Sequence, residues 1–197
     1  MTKAPNTTAL RKAQKAGDAL VRTFTALPGR QRKEGIPSLV VPPKYSRDNQ
    51  KSNVYEAEHT FAELVRDRSQ FPRFNAAGLS VDIPDMLRFG NLDTAQAFTD
   101  LVTAHVGASR ITVRANVRLG QGANYTGGVI TLPLAGDDPR WAWTAAVVLH
   151  EIAHHLTAGA GHNSPFPSTL VDLFTDWISP EAGLLLRVLY VESGVKL

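Results

Sequence analysis

One five-residue segment constrains this chain more than any other: His150-Glu151-Ile152-Ala153-His154, which follows the apolar residues Val147, Val148 and Leu149. The spacing predicts an amphipathic helix with a buried setting. In a helix, side chains at i and i+4 stand one turn apart on the same face, so both imidazoles reach one point and can hold one metal ion. Glu151 is turned from His150 by about 100°. It stands beside that point without competing for it.

The rest of the chain has to supply a core around this helix. With 197 residues, 43% of them hydrophobic and 20% charged, the composition is that of one globular domain with an extension and argues against wholesale disorder. There is no cysteine. That excludes a disulfide framework, a thiolate zinc finger, an iron–sulfur cluster and a cysteine nucleophile, and fits a reducing compartment. No apolar stretch approaches the roughly 20 residues that span a bilayer, and Met1–Leu10 lacks the apolar centre of a signal peptide. The expectation is a soluble, cytoplasmic protein with no membrane partner.

The net charge of +3 hides an asymmetry: Met1–Asn53 carries 11 Lys/Arg against 3 Asp/Glu, and Val54–Leu197 carries 10 against 15. A basic leader thus precedes a mildly acidic body. The leader reads as a solvated, partly flexible arm in which Ala9–Ala26 can form a basic helix. Weak nucleic-acid contact through it is the competing reading.

Within the body, Val54, Ala57, Phe61, Leu64 and Val65 predict a first helix capped by Ser52 or Asn53. Leu79–Ile83 alternates as a short strand. Asp93 or Thr94 is expected to cap a second helix, and Ile111–Val117 alternates as a strand. Another strand is expected at Gly127–Leu132. A long helix is expected from Pro139 to about Thr157, ended by Gly159 and Gly161. Ser168–Trp177 and a segment opened by Ser179-Pro180-Glu181, running to about Glu192, complete the helices. The fold class is α+β.

Two histidines and a water do not complete a catalytic zinc site, which takes three protein ligands. His162, eight residues after His154 and past the glycine-broken helix end, is the leading third ligand. The spacing H-E-x-x-H-x-x-G-x-x-H would put it at position 160, which is Ala160. The rivals are acidic: Asp172, Asp176 or Glu181. With zinc bound, a water of pKa about 7 and Glu151 as general base make a hydrolase, and H-E-x-x-H is the arrangement of zinc metalloproteases. The Gly127–Leu132 strand is expected to align an extended peptide substrate by main-chain pairing.

These residues also resemble a family. His150-Glu151-Ile152-Ala153-His154-His155-Leu156, then Gly161-His162-Asn163-Ser164-Pro165-Phe166, is similar to metallohydrolases of actinobacteria and their phages that carry HE-x-AHHL and a following HG-x-x-F-like segment. Tyr45–Asp48 with Val54–Glu58, Phe89–Gln96 and Pro180–Arg187 extend the resemblance over residues 45–197, leaving 1–44 as the arm. More distantly, the chain resembles SprT-like and YgjP-like zinc proteases, departing from them at Asn163, where they usually have glycine. The resemblance implies a zincin-like fold with a small mixed or antiparallel sheet and the 150–154 helix at the active site. It implies a zinc ion and names no substrate.

Two other functions compete with a metallopeptidase that takes protein or peptide substrates. HE-x-AHHL also resembles proteases that cleave phage-type repressors, whose third ligand is acidic and lies further along. A non-catalytic, zinc-stabilised module that binds DNA or a partner is the other. Among the remaining residues, His155 reads as a group beside the site, Tyr125 as a packed tyrosine or an oxyanion donor, and Arg187 as ambiguous. Trp141 and Trp143 are expected to pack the helix entry, and His59 and His105 to be structural.

Overall fold

The computed structural model describes residues 48–76, 79–117, 122–134 and 139–197. The expected basic arm, with its Ala9–Ala26 helix and any nucleic-acid contact, lies outside them. Helix α1 (Lys51–Asp67) buries Val54, Ala57 and Phe61 at helical spacing, and its N-cap is Gln50, two or three residues before the expected Ser52 or Asn53. A two-stranded antiparallel ribbon follows, β1 (Arg73–Ala76) with β2 (Leu79–Asp82). Helix α2 (Leu92–His105) is capped by Asn91, not by Asp93 or Thr94: the Asn91 side chain accepts from the Thr94 N–H, and Thr94 is the reciprocal partner in a capping box.

Strands β3 (Thr112–Asn116), β4 (Asn124–Thr126) and β5 (Val129–Pro133) form a mixed sheet in the order β3-β5-β4. β3 runs parallel to β5, and β4 antiparallel. The β4–β5 hairpin turns on Gly127 and Gly128, whose φ of 55° and 81° only glycine adopts without cost. One correction follows: the strand expected to align substrate, Gly127–Leu132, is the middle strand, with both edges already paired. The free edge of the sheet near the 150–154 helix belongs to β4. On the far edge, the Gln96 amide donates to Ile111 O at 2.8 Å and accepts from Val113 N at 2.6 Å, closing β3 with a side chain.

The long helix expected from Pro139 is two pieces, a 3-10 turn (Pro139–Ala142) and helix α3 (Ala145–Leu156). Between them Thr144 is extended (φ −126°, ψ 155°) and caps α3 through its side chain. The backbone there pairs like a strand: Phe89 N donates to Trp143 O and Ala145 N to Leu87 O. Helix α4 (Pro165–Trp177) begins three residues before the expected Ser168, on a proline suited to a first turn. Helix α5 (Pro180–Glu192) is capped by Ser179 as the sequence indicates.

The core lies where α4 packs between α3 and α5, with α1 against α5. Phe61 packs edge-on against Phe174 at 5.2 Å, and Phe98 against Trp177 at 5.9 Å. The five helices and small sheets establish an α+β fold among the described residues. No helix among them is long and apolar enough to cross a membrane.

Candidate metal centre

His150 and His154 project from one face of α3, and His162 reaches the same place from the turn beyond it. Two left-handed glycines make that turn, Gly159 at φ 83° and Gly161 at φ 59°. Asn163 then bridges back, its backbone and side-chain amides both donating to Ala160 O. The Asn163 side chain therefore helps to tie the turn. The potential ligand atoms of His150, His154 and His162 all lie within 4.8 Å of one another. Nε2 of His150 and Nε2 of His154 are 3.2 Å apart, and His162 Nε2 is buried with no hydrogen-bond partner. Three imidazole nitrogens aimed at one point, one of them orphaned, are what a metal ion would satisfy. The group can hold one.

Behind two of the three rings stands a carboxylate. His150 Nδ1 lies 2.8 Å from Glu58 Oε2, and His162 Nδ1 lies 2.6 Å from Asp48 Oδ2. Such a partner fixes the ring's orientation and tautomer, leaving the Nε2 lone pair for an ion. Glu58 is itself held by Tyr190 of α5, whose O–H donates to Oε1 at 2.8 Å. Asp48 also accepts from the His162 backbone N–H at 3.1 Å. Gln50 closes the clamp: its amide donates to His162 O and Lys196 O and accepts from Lys196 N. Phe166, at the start of α4, packs against all three imidazoles with centroids 4.9, 4.5 and 4.8 Å away.

Glu151 is 4% exposed. Burial raises its carboxyl to about 6; the charge of His150 opposes that rise, the Glu58 carboxylate adds to it, and the Tyr125 main-chain N–H lowers it by hydrogen bonding. Burial, with His150 and His162 alongside, lowers His154 to about 3. Burial also lowers His162, against the Asp48 hydrogen bond. Neutral imidazole is the form that ligates. At His150 burial is outweighed by the Glu58 charge and hydrogen bond, which raise it. Tyr55 stacks on His150 at 5.7 Å and tilts over His162 at 4.9 Å. Burial and then the Glu151, Glu58 and Asp48 carboxylates push its phenol up, so it keeps its proton.

The acidic rivals are elsewhere. Asp172, Asp176 and Glu181 are exposed on α4 and α5, and none belongs to the histidine group. His155 is turned away: Tyr125 Oη meets its Nδ1 at 2.7 Å and Ser109 Oγ its Nε2 at 3.1 Å, tying α3 to the hairpin and to the loop after α2. Tyr125 Oη also accepts from Gly128 N, so it is engaged in packing and not aimed at a substrate oxyanion. Trp143 is buried and donates to Pro133 O, whereas Trp141 is 52% exposed. Arg187 is exposed on α5.

Asp48, Glu58, Tyr55 and Tyr190 surround the histidine group, and reading the sequence for site residues missed them. Glu58 left a signal, an acid on the same α1 stripe as the buried Val54, Ala57 and Phe61. Asp48 left none, because the turn that meets it is 114 residues away. The chain matches no family model, no curated protein and no solved structure.

Proposed function

We propose that the protein is a zincin-like, zinc-dependent hydrolase that cleaves peptide bonds, akin to the actinobacterial and phage metallohydrolases its motif resembles. The observation that carries this reading is the convergence of three histidine nitrogens, two of them backed by carboxylates, beside a buried glutamate. An all-imidazole donor set suits zinc. With zinc–nitrogen bonds of about 2.0–2.1 Å, the edge of a tetrahedron is about 3.3 Å, and the 3.2 Å between His150 and His154 Nε2 fits it.

A zinc ion held here would supply a Lewis acid that polarises a carbonyl and acidifies water near neutral pH. Glu58 and Asp48 hold the His150 and His162 rings in register. Glu151, buried beside the histidines, takes the proton of the attacking water and returns it to the leaving amine. The Tyr55 phenol, protonated beside the site, is a hydrogen-bond donor for the carbonyl oxygen. The outer edge of β4, whose Tyr125 N–H already points to Glu151, is the strand an extended substrate would pair with.

The test is metal content with turnover on a mixed peptide library. Wild type should carry about one zinc per chain and lose hydrolysis to a chelator. Glu151→Gln should keep the zinc and lose about 10²–10⁴-fold in turnover. Hydrolysis that survives in Glu151→Gln rejects the mechanism. Zinc bound without hydrolysis of any peptide would instead support the zinc-stabilised binding module.

A further inference from the structure

Beside the metal centre lies a cavity of about 510 Å³, within the range of about 300–1,000 Å³ typical of ligand pockets. Residues of helices α1 and α3 make up most of its lining, His150 and Glu151 among them. Phe61, Ala62, Val65, Val147 and Phe174 make it apolar, and Trp141 stands at its rim. The charges along it are mostly spent. Glu58 is bonded to His150 and Tyr190, and His59 faces Glu63 at 3.8 Å. Glu151 belongs to the reaction. Arg88, exposed and held in place by its backbone bridge to Thr144, makes no ion pair with any described residue. It is the one cation in the lining besides the histidines.

An apolar chamber with an unpaired guanidinium fits a ligand that is apolar with one anionic group. Because His150 and Glu151 belong to its lining, the part of a substrate that enters it is next to the bond being cut. We propose that this cavity selects a bulky apolar side chain, leucine- or phenylalanine-like, adjacent to the scissile bond, and that Arg88 pairs with a carboxylate on the same or the next residue. The assignment rests on the peptidase reading for its place in a substrate. Its binding chemistry stands on the cavity alone.

The experiment therefore reads binding, in Glu151→Gln protein loaded with zinc, from the fluorescence of Trp141. The other two tryptophans, Trp143 and Trp177, are buried, and Trp141→Phe identifies the signal. The probes are acetylated dipeptides Gly-Leu, Gly-Phe, Gly-Ala and Gly-Gly, each as free acid and as amide. Gly-Leu and Gly-Phe should bind about tenfold or more tighter than Gly-Ala. Val147→Phe, which fills much of the chamber without adding a fluorescent tryptophan, should erase that preference while zinc content and circular dichroism stay unchanged. The free acids should bind several-fold tighter than the amides, a difference that Arg88→Gln removes.

Equal affinity for Gly-Leu and Gly-Gly, or a preference untouched by Val147→Phe in folded protein, overturns the pocket. An acid–amide ratio that persists in Arg88→Gln overturns the role of the guanidinium. Size-selective binding in a protein that hydrolyses nothing would reject the peptidase reading and leave the pocket. Hydrolysis indifferent to the probe side chain would do the reverse.

Discussion

The two halves of the histidine cluster are built on different principles. His150 and His154 owe their alignment to the repeat of a helix whose other face is anchored by Val148, Leu149 and Ile152, all fully buried. No repeat positions His162. It sits after Gly161, whose φ of 59° admits few other residues, and it is tethered by Asp48 through both backbone and ring and by Gln50 through its carbonyl. The helical half is prepared by local structure that folding stabilises anyway. The turn half depends on side-chain bonds spanning more than a hundred residues, so changes there should damage metal binding more than they damage folding.

The largest effect expected is that of His162→Ala: about one zinc per chain should fall to near none, while helical content stays that of wild type. Metal retained at wild-type affinity would reject the turn as a ligand source and return attention to Asp172, Asp176 and Glu181. The carboxylate pair comes next. Asp48→Asn and Glu58→Gln should each weaken metal affinity by about 10–100-fold. They should part in stability. Glu58 accepts from two buried partners, and the glutamine amide presents a donor where one of its oxygens stood, leaving the Tyr190 hydroxyl or the His150 ring unmatched at about 1–3 kcal/mol. Asp48 is 30% exposed along its side chain, and water can replace part of what it gives. Calorimetric melting of the metal-free variants measures this; equal melting temperatures would erase the contrast.

The same division decided what the sequence revealed. The helix with its two histidines, the strands at 79–82 and 112–116, and the Ser179 cap of α5 are local patterns, legible from spacing and capping residues alone. The break at Thr144 was not, because it comes from pairing with Leu87 and Phe89, a tertiary contact that overrides the helical preference of the segment. The central position of β5 was hidden for the same reason: which strand forms an edge is settled by partners far along the chain. In the site, His150, Glu151 and His154 announce themselves, and His162 is marked by the glycines before it. The groups that hold the rings come from α1 and from Asp48, and sequence spacing carries no information about that meeting.

Gly161→Ala should have a smaller effect. An added Cβ would stand 2.9 Å from Asp48 Oδ2, and a left-handed alanine costs about 1–2 kcal/mol. The turn can yield by moving the Asp48 carboxylate, at the expense of the His162 tether. Metal affinity should drop several-fold, between the loss seen for Asp48→Asn and none. Titration against a fluorescent zinc chelator measures it. Unchanged affinity would mean that the turn is held by Asn163 and Gln50 without Asp48.

Gly183→Ala should lower stability and leave the metal site untouched. Gly183 lies where α5 crosses α4, and a Cβ there would collide with the Thr175 side chain and stand 3.0 Å from its Cα. Backbone cannot swing aside as a flexible side chain can, so the helices must separate, at about 1–3 kcal/mol. Both helices touch the site, α4 through Phe166 and α5 through the Tyr190–Glu58 bond. If the helical half is held by the periodicity of α3 and its own core contacts, a small separation of α4 from α5 should leave metal affinity within about twofold of wild type in the folded protein, well inside the 10–100-fold cost of losing a ring's partner. A tenfold loss would mean that Tyr190 carries strain from the α4–α5 crossing through Glu58 to His150, making the helical half as dependent on distant tethers as the turn.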